Sequence, residues 1–229
     1  MENSTREARL SGSSAVSQPL GDIWVCRYCG WKSRQSDPDE NPKPRYGILT
    51  CKVCLTRRGK EKIQETFPDY FKATVPGHIP DQDGYAKVMA WKYGPKGLLL
   101  VGTNRKGKSR SAWELVRREI YIGRSVEAVS ALRLGELIEC YQTGDNPYEL
   151  LREWSKVKLL LLDDIFKSKL TERVEEQIFT LIDERISNML PTIITLNDSL
   201  AGLASRLSAD RGPAIIARIL ECCETVIFK

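Results

Sequence analysis

The sequence predicts an α/β fold in which a parallel sheet is covered by helices. Three observations support this fold class. A short apolar run at residues 98–101 leads into a glycine-rich loop and then into a segment with helical spacing. Four consecutive leucines at residues 159–162 indicate a strand buried on both faces, which is typical of a parallel sheet. From residue 96 to residue 229, short apolar runs alternate with amphipathic segments.

The glycine-rich loop fits the phosphate-binding pattern G-x-x-x-x-G-K-[ST] at every fixed position. Its glycines allow backbone N–H groups to approach a triphosphate, and the start of the following helix adds a partial positive charge. Lys108 is expected to reach the β- and γ-phosphates, and Ser109 to ligate Mg²⁺. The alternative, a glycine turn with a chance lysine, is disfavoured because a strand and a helix flank the loop. The candidate nucleotide-binding residues are Gly102, Thr103, Asn104, Arg105, Lys106, Gly107, Lys108, Ser109 and Arg110.

Two carboxylates follow the leucine run, at the carboxyl end of the predicted strand, where open α/β sheets bind their ligands. Asp163 fits the Walker-B acid that holds Mg²⁺ through water, and Asp164 fits the residue that activates the attacking water. An ordinary acidic turn is the alternative, but the pair comes roughly 50 residues after a complete phosphate loop. Together the two motifs predict a nucleotide-hydrolysing site in which Lys108, Asp163 and Asp164 are catalytic.

The remaining segments complete the alternation of strands and helices. An amphipathic helix is predicted at residues 171–188, and the strand at 191–197 ends at Asn197, which can reach water near a γ-phosphate. Asp198 is expected to cap the short helix that follows. Further helices are expected at residues 56–67, 85–94, 108–122 and 132–144, after the cap Asn146 with Pro147 in the first turn, and from Gly212 and Pro213. Strands are expected at residues 125–131, with Val126 and Val129 half-buried, and at residues 225–229. A wrapping loop is expected at residues 67–85.

Four cysteines precede this domain as two C-x₂-C pairs, Cys26 with Cys29 and Cys51 with Cys54, separated by 21 residues. Each pair can form a knuckle that presents two sulfurs to one ion, so the spacing predicts a structural Cys₄ zinc ribbon or treble clef. A disulfide is disfavoured in a reducing compartment. A redox pair is disfavoured because no thioredoxin-like pattern surrounds it. The neighbouring aromatic residues either pack over the metal site or stack on nucleobases; they are Trp24, Tyr28 and Trp31.

Composition and charge suggest four segments. We expect a disordered tail at residues 1–20, a zinc-binding module at 21–62, a linker and wrapping segment at 63–95, and a nucleotide-binding core at 96–229. The predicted module holds ten Lys/Arg and five acids, so it carries the whole formal excess of +5. With no apolar run of about 20 residues and no signal peptide, the sequence predicts a cytosolic protein that does not enter a membrane.

The chain resembles AAA+ ATPases, and within them the bacterial helicase loaders of DnaC and DnaI type, with the transposition helper IstB as a relative. The matching stretches are GLLLVGTNRKGKS, VKLLLLDDI and LTERVEEQIFTLIDERISNMLPTIITLN. The resemblance implies a five-stranded parallel sheet in the ASCE order with a reduced or absent lid, and Asn197 as the sensor-1 residue. It implies that Arg185 lies near a subunit interface and that Arg218 is an arginine finger acting in trans, with Arg206 as the rival. Arg105 and Lys106 depart from the family pattern of small residues.

The same resemblance implies a function. It suggests an ATP-dependent loader that binds the replicative helicase and single-stranded DNA and uses hydrolysis as an assembly switch. Its ATPase activity is expected to be weak alone and to be stimulated by DNA or a partner. ATP, Mg²⁺ and Zn²⁺ are the implied cofactors, and the implied assembly is a homo-oligomer or a complex on a helicase hexamer, in the cytoplasm of a bacterium or encoded by a phage. Two alternatives stay open: an IstB-type transposition helper, and a zinc-dependent nucleic-acid adaptor that binds ATP with little turnover.

Overall fold

The computed structural model of this 229-residue chain describes residues 23–26, 28–29, 32–34, 51–143, 147–167 and 169–229. The chain divides into two units, Met1–Cys54 and Leu55–Lys229. The predicted tail at residues 1–20 lies outside the described residues, as does Asn146. The first unit contains an antiparallel strand pair, and the second contains a five-stranded sheet with its helices.

The strands are β1 (Ile23–Val25), β2 (Lys32–Arg34), β3 (Gly97–Val101), β4 (Val126–Ser130), β5 (Leu159–Asp163), β6 (Thr192–Leu196) and β7 (Cys223–Ile227). The α-helices are α1 (Lys52–Thr66), α2 (Asp69–Lys72), α3 (Gln82–Ala90), α4 (Lys108–Tyr121), α5 (Ala131–Thr143), α6 (Tyr148–Lys156), α7 (Glu172–Ser187), α8 (Leu200–Ala204) and α9 (Gly212–Cys222). None of the helices in the described ranges combines the length and the apolar character that a membrane crossing requires.

The large sheet is parallel throughout, with the strand order β4-β5-β6-β3-β7. Numbered from β3 as the first strand, this order is 2-3-4-1-5, which is the predicted ASCE arrangement. The prediction of a five-stranded parallel P-loop sheet is therefore confirmed. Because β3 and β5 both neighbour β6, the loop after β3 and the acids after β5 open at the same carboxyl edge.

The run of four leucines serves both faces of the sheet. Leu160 and Leu162 belong to the core under α5 to α9, whereas Leu159 and Leu161 belong to the core that includes α3 and α4. All four are at most 1% exposed. Side chains alternate across a strand, so a strand covered on both sides needs an apolar residue at every position.

Several element boundaries differ from the predictions. Helix α3 begins earlier than residue 85, because the carboxylate of Asp81 accepts the N–H of Gly84 and caps the helix. Helix α8 is capped by Ser199 rather than Asp198, whose carboxylate instead pairs with Arg206. Helix α1 begins at Lys52, one turn before the predicted start. Pro147 occupies the cap position before α6 rather than its first turn, and β7 begins two residues earlier than predicted.

Strand β4 is buried more completely than an alternating pattern predicts. Val126 and Val129, expected to be half-buried, are 2% and 0% exposed. Glu127 between them is also buried, and its carboxylate is matched by Arg133 at 2.7 Å and Lys62 at 3.4 Å. Pairing of this kind allows a charged residue to enter a buried strand.

The segment predicted as a wrapping loop is partly helical and is held along α4. It contains α2 and a 3₁₀ turn at Pro76–His78. Arg117 of α4 donates to the carbonyl oxygens of Phe71 at 2.8 Å and Lys72 at 3.0 Å. These bonds satisfy two carbonyl groups at the end of α2, which a helix of this length cannot pair internally.

Arg185 is a core residue of its own chain, and the expectation that it lies near a subunit interface stays a prediction. It is 0% exposed. Its guanidinium donates to the Thr192 hydroxyl at 2.9 Å and to backbone carbonyl groups of α6 and the segments around it. Burial lowers its pKa to about 10, so the group stays charged at neutral pH. The carbonyl acceptors are those of Trp154, Val157 and Pro191.

Candidate nucleotide and zinc sites

The phosphate loop joins β3 to α4, and its two glycines stand where a side chain would collide. A Cβ atom on Gly102 would lie 2.4 Å from the carbonyl oxygen of Phe228, and one on Gly107 would lie 2.6 Å from Cγ2 of Ile79. Gly107 also has a left-handed φ of 97°. The glycines therefore serve two purposes: they let the loop pack closely against Phe228 and Ile79, and they leave its N–H groups accessible to phosphate.

Lys108 is the buried cation of the loop. It is 3% exposed, and its ammonium donates to the carbonyl oxygen of Thr103 at 2.7 Å. Burial lowers the pKa of Lys108, while the charges of Asp164 and Asp163 act in the opposite direction. A phosphate oxygen offers this ammonium a stronger, charge-assisted acceptor than the carbonyl group.

The other predicted loop residues differ in exposure. Arg105 is exposed and has a φ of 64°, a left-handed conformation that is uncommon for residues other than glycine. Arg110 is half-buried; it donates to the Tyr70 hydroxyl at 2.6 Å and lies 4.7 Å from the centre of the Tyr70 ring. The remaining residues are Thr103 and Asn104, which are exposed, and Lys106 and Ser109, which are half-buried.

Asp163 is the last residue of β5, and both of its carboxylate oxygens are held. Oδ1 accepts the hydroxyl of Thr195 at 2.8 Å, and Oδ2 accepts the indole N–H of Trp113 at 3.0 Å. The strand register places Asp163 directly beside Thr195 of β6. A carboxylate held from both sides has a defined orientation, which suits a metal ligand that acts through water.

The Thr195 hydroxyl also holds Asp164. It accepts the backbone N–H of Asp164 at 2.9 Å, while Asp164 adopts a left-handed φ of 55°. Burial raises the pKa of Asp164, and the charge of Asp163 raises it further. The charge of Lys167, hydrogen bonding by Asn197 and the charge of Lys108 each lower it. One hydroxyl thus links both acids, and Asn197 lies close enough to Asp164 to lower the pKa of its carboxyl.

Two side chains at this site were not predicted from the sequence. The sequence alone gives Thr195 no role beyond its place in the strand that ends at Asn197. Its position two residues before Asn197 puts both side chains on the same face of that strand, which is the signal that could have identified it. Trp113 was not selected, because nothing in its spacing from Lys108 indicates a contact with an acid about 50 residues later.

The two arginine candidates for action in trans both have partners within the chain. Arg218 on α9 pairs with Asp183 at 3.0 Å and Glu221 at 2.8 Å. Arg206 donates to the carbonyl oxygen of Phe166, in the turn after β5, and pairs with Asp198. The finger role of either arginine stays a prediction.

The four cysteines of the first unit converge as their spacing predicts. Their sulfur atoms all lie within 4.8 Å of one another, and those of Cys29 and Cys51 are 3.6 Å apart. Tetrahedral Zn²⁺ with bonds of about 2.3 Å requires sulfurs about 3.8 Å apart. Backbone N–H groups of Cys51 and Cys54 donate to the sulfurs of Cys26 and Cys51. The donor set and its spacing fit a structural zinc ion.

The charge balance of the cluster also favours a cation. A hydrogen bond from the backbone of Cys51 lowers the pKa of Cys26 to about 6, so that thiol ionises readily. Burial, followed by hydrogen bonds with the other cysteines, raises the pKa of Cys54 to about 12. A metal ion bound between the sulfurs would keep its coordinating thiols in the thiolate form. Tyr28 beside them is 43% exposed, and the side chains of Trp24 and Trp31 lie outside the described residues.

Zinc content tests the cluster directly. The full chain should carry about one zinc ion, and Cys54→Ser should lose most of it because a tetrahedral site then lacks one ligand. Cys140→Ser makes the same chemical change outside the cluster and should keep the metal. Elemental analysis of the purified proteins measures both. Equal zinc in the Cys54→Ser variant and the wild type would contradict the assignment.

Asp164→Asn should stabilise the protein at neutral pH. Because the folded state raises the pKa of this carboxyl, the ionised form costs stability, and this cost appears as pH rises above the ordinary carboxyl pKa of about 3.9. Asparagine removes the charge and tolerates the left-handed φ. The melting temperature of the variant should exceed that of the wild type at pH 7, and the difference should narrow as pH falls toward about 4.

Asp210→Asn, at an exposed carboxylate, is the matched control for this measurement and should change the melting temperature little. A lower melting temperature for Asp164→Asn at pH 7, or a difference that does not depend on pH, would contradict the account of Asp164.

Comparisons with known proteins agree with this fold. The family model described as "IstB-like ATP binding protein" matches residues 80–229. The structure of the DnaC helicase loader is 25% identical, with a TM-score of 0.53, and the match covers 65% of this chain and 87% of that one. DnaI is 20% identical, with a TM-score of 0.58, and the match covers 71% of this chain and 92% of that one.

A putative primosome component from Streptococcus pyogenes serotype M3 is 21% identical, with a TM-score of 0.51 and coverage of 64% of this chain and 76% of that one. Among curated proteins, no sequence matches this chain significantly. The resemblance to IstB and the helicase loaders that the motifs predicted is confirmed. The family model spans well over half of the 229 residues, and the chain therefore belongs to the family of IstB-like ATP-binding proteins.

Proposed function

We propose that this chain hydrolyses ATP to ADP and phosphate as a DNA-replication helicase loader, with hydrolysis acting as an assembly switch. The observation that carries the hydrolysis is the double contact of the Thr195 hydroxyl. It holds Asp163 and Asp164 together at the edge of the sheet where the phosphate loop opens. This arrangement provides a metal-holding acid and a candidate base beside a phosphate cradle.

The loop and the first acid bind the substrate. Backbone N–H groups between Gly102 and Ser109 surround the β-phosphate, and the Lys108 ammonium moves from the Thr103 carbonyl to β- and γ-phosphate oxygens. Ser109 and Asp163 are the residues that would hold Mg²⁺, which supplies neutralising charge for the phosphates. The orientation of Asp163 is already set by its two hydrogen bonds.

Asp164 acts on the attacking water. The water oxygen attacks the γ-phosphorus while the carboxylate accepts a proton, and the bond from phosphorus to the β–γ bridging oxygen breaks, so that the electron pair leaves with ADP. A raised pKa makes Asp164 a stronger base than an ordinary carboxylate. Asn197, whose side chain lowers the pKa of Asp164, keeps the carboxylate and the water in place.

Catalysis is completed by an arginine of a neighbouring subunit. Charge that develops on the transferred phosphoryl group requires a cation. We propose Arg218 as this arginine finger, with Arg206 as the alternative. Arg218 lies on α9 with about 39% of its side chain exposed, and it pairs with the partly exposed carboxylates of Asp183 and Glu221. Such ion pairs are weak, so exchange to a phosphate of another subunit costs little.

The likeness to the DnaC helicase loader over 87% of that chain supports a replicative helicase as the client. The Cys₄ cluster supplies a separate unit that can contact it. Helix α1 adds a basic surface for single-stranded DNA, with five Lys/Arg and two Glu. The protein then works in the bacterial cytoplasm, host-encoded or phage-encoded, as an oligomer or on the helicase hexamer.

A transposition helper is the second candidate. It is favoured by one observation, the match of residues 80–229 to the IstB-like family model. The same ATPase site then serves a transposase in place of a helicase. Binding of the purified chain to each candidate client separates the two.

ATP hydrolysis tests the proposal. The chain alone should turn over slowly, and single-stranded DNA with the cognate helicase should raise kcat several-fold. Lys108→Ala and Asp164→Asn should each reduce the stimulated rate by about 100-fold or more. Lys108→Ala removes the cation that neutralises the phosphates, and Asp164→Asn removes the base. Arg218→Ala should remove the stimulation while leaving ATP binding intact.

Arg173→Ala, at an exposed arginine of α7, is the control and should behave as the wild type. Mixing Lys108→Ala with Arg218→Ala subunits should restore part of the activity, since each supplies what the other lacks. ATP that is bound but never hydrolysed, with any combination of DNA and client, would contradict the proposal and favour an adaptor.

A further inference from the structure

The indole of Trp113 connects the phosphate-loop helix to the metal-holding acid. Trp113 lies on α4, about one and a half turns after Lys108, and is 2% exposed. Its N–H lies 3.0 Å from Oδ2 of Asp163. A buried indole N–H requires an acceptor, and a carboxylate gives it a charge-assisted hydrogen bond.

This contact sets the rotation of the Asp163 carboxylate. A carboxylate offers about four acceptor sites. Trp113 uses one on Oδ2, and the hydroxyl of Thr195, at 2.8 Å, uses one on Oδ1. One donor belongs to the helix and the other to the neighbouring strand. The two remaining acceptor sites are therefore presented in a defined direction to water around a metal ion.

The indole ring is itself held by aromatic neighbours. The ring of Phe71 stacks on it with centroids 5.4 Å apart and an angle of 17°, and Phe67 meets it edge-on at 4.6 Å. Arg117, one turn further along α4, donates to the carbonyl oxygen of Phe71 and lies over the Phe67 ring at 4.9 Å. The indole N–H can therefore hardly leave Asp163 by rotation of the ring.

We propose that Trp113 is a positioning residue for Asp163 in ATP hydrolysis, acting through its indole N–H. This inference rests on the proposed ATPase function and deepens it. The side chain acts through its hydrogen bond to Asp163, and it fixes the carboxylate that orients metal-bound water. Residues of this kind affect metal affinity and turnover more than substrate binding.

Packing alone is a weaker account of the residue. A phenylalanine would keep an aromatic ring against Phe67 and Phe71 without presenting a donor to Asp163. The carboxylate, only 9% exposed, would then keep Thr195 as its single described side-chain donor. A buried carboxylate with fewer partners turns toward whatever donor or water is nearest.

Trp113→Phe separates the donor from the packing, and Trp91→Phe is its matched control. Trp91 is buried in the same core, and its N–H donates to the Lys96 carbonyl at 3.0 Å. In the full chain with DNA and client, Trp113→Phe should lower kcat about tenfold and raise the Mg²⁺ concentration for half-maximal rate about tenfold, with KM for ATP within about twofold. Trp91→Phe should change none of these.

The hydrogen bond is also visible without turnover. The chain has five tryptophans, and ¹⁵N labelling resolves their indole N–H resonances, which Trp→Phe variants assign. Asp163→Asn should shift the Trp113 resonance in the absence of nucleotide and leave that of Trp91 in place. If this variant fails to fold, titrating the wild type with Mg²⁺ and a non-hydrolysable ATP analogue serves instead and should move Trp113 more than Trp91.

Equal movement of the two resonances, or an unchanged Mg²⁺ dependence in Trp113→Phe, would overturn the inference. If the wild type hydrolyses no ATP under any condition, the proposed function fails, while the resonance of Trp113 still reports on its bond to Asp163. The two failures are therefore distinguishable.

Discussion

The acidic side of this site depends on the hydroxyl of Thr195. It donates to Asp163 and accepts the backbone N–H of Asp164, so one group helps to orient the first acid and also holds the backbone of the second, which has a left-handed φ. The contact exists because β5 and β6 are parallel neighbours in a register that places Asp163 beside Thr195. Charged groups oriented before substrate arrives need not reorganise during the reaction, which is how such sites lower a barrier.

The parts of the site that could be predicted are those encoded by adjacent residues. The phosphate loop is contiguous, and the leucines of β5 show by their unbroken run that both faces of the strand are covered. The spacing of the two C-x₂-C pairs likewise indicates a zinc site. Strand order came from resemblance to helicase loaders, since no local pattern specifies which strands become neighbours.

The parts that could not be predicted depend on contacts between distant segments. Trp113 meets Asp163 across 50 positions, and Arg185 is enclosed by the carbonyl groups of α6 and its neighbours. An arginine in an amphipathic helix is usually solvated, so nothing in its local pattern shows that it will be buried. Asp198 is predicted to cap the helix that follows it, but its carboxylate forms an ion pair with Arg206 instead.

The most direct test of this account is the Mg²⁺ dependence of ATP binding in two variants of Thr195, measured by titration calorimetry. Thr195→Val keeps the shape of the buried residue and removes its hydroxyl, whereas Thr195→Ser keeps the hydroxyl. The account predicts that the valine variant folds and binds ATP without Mg²⁺ as the wild type does, but loses about tenfold in affinity at Mg²⁺ concentrations that do not saturate the site. The serine variant should retain it. A valine variant with the full Mg²⁺-dependent affinity of the wild type would contradict the account.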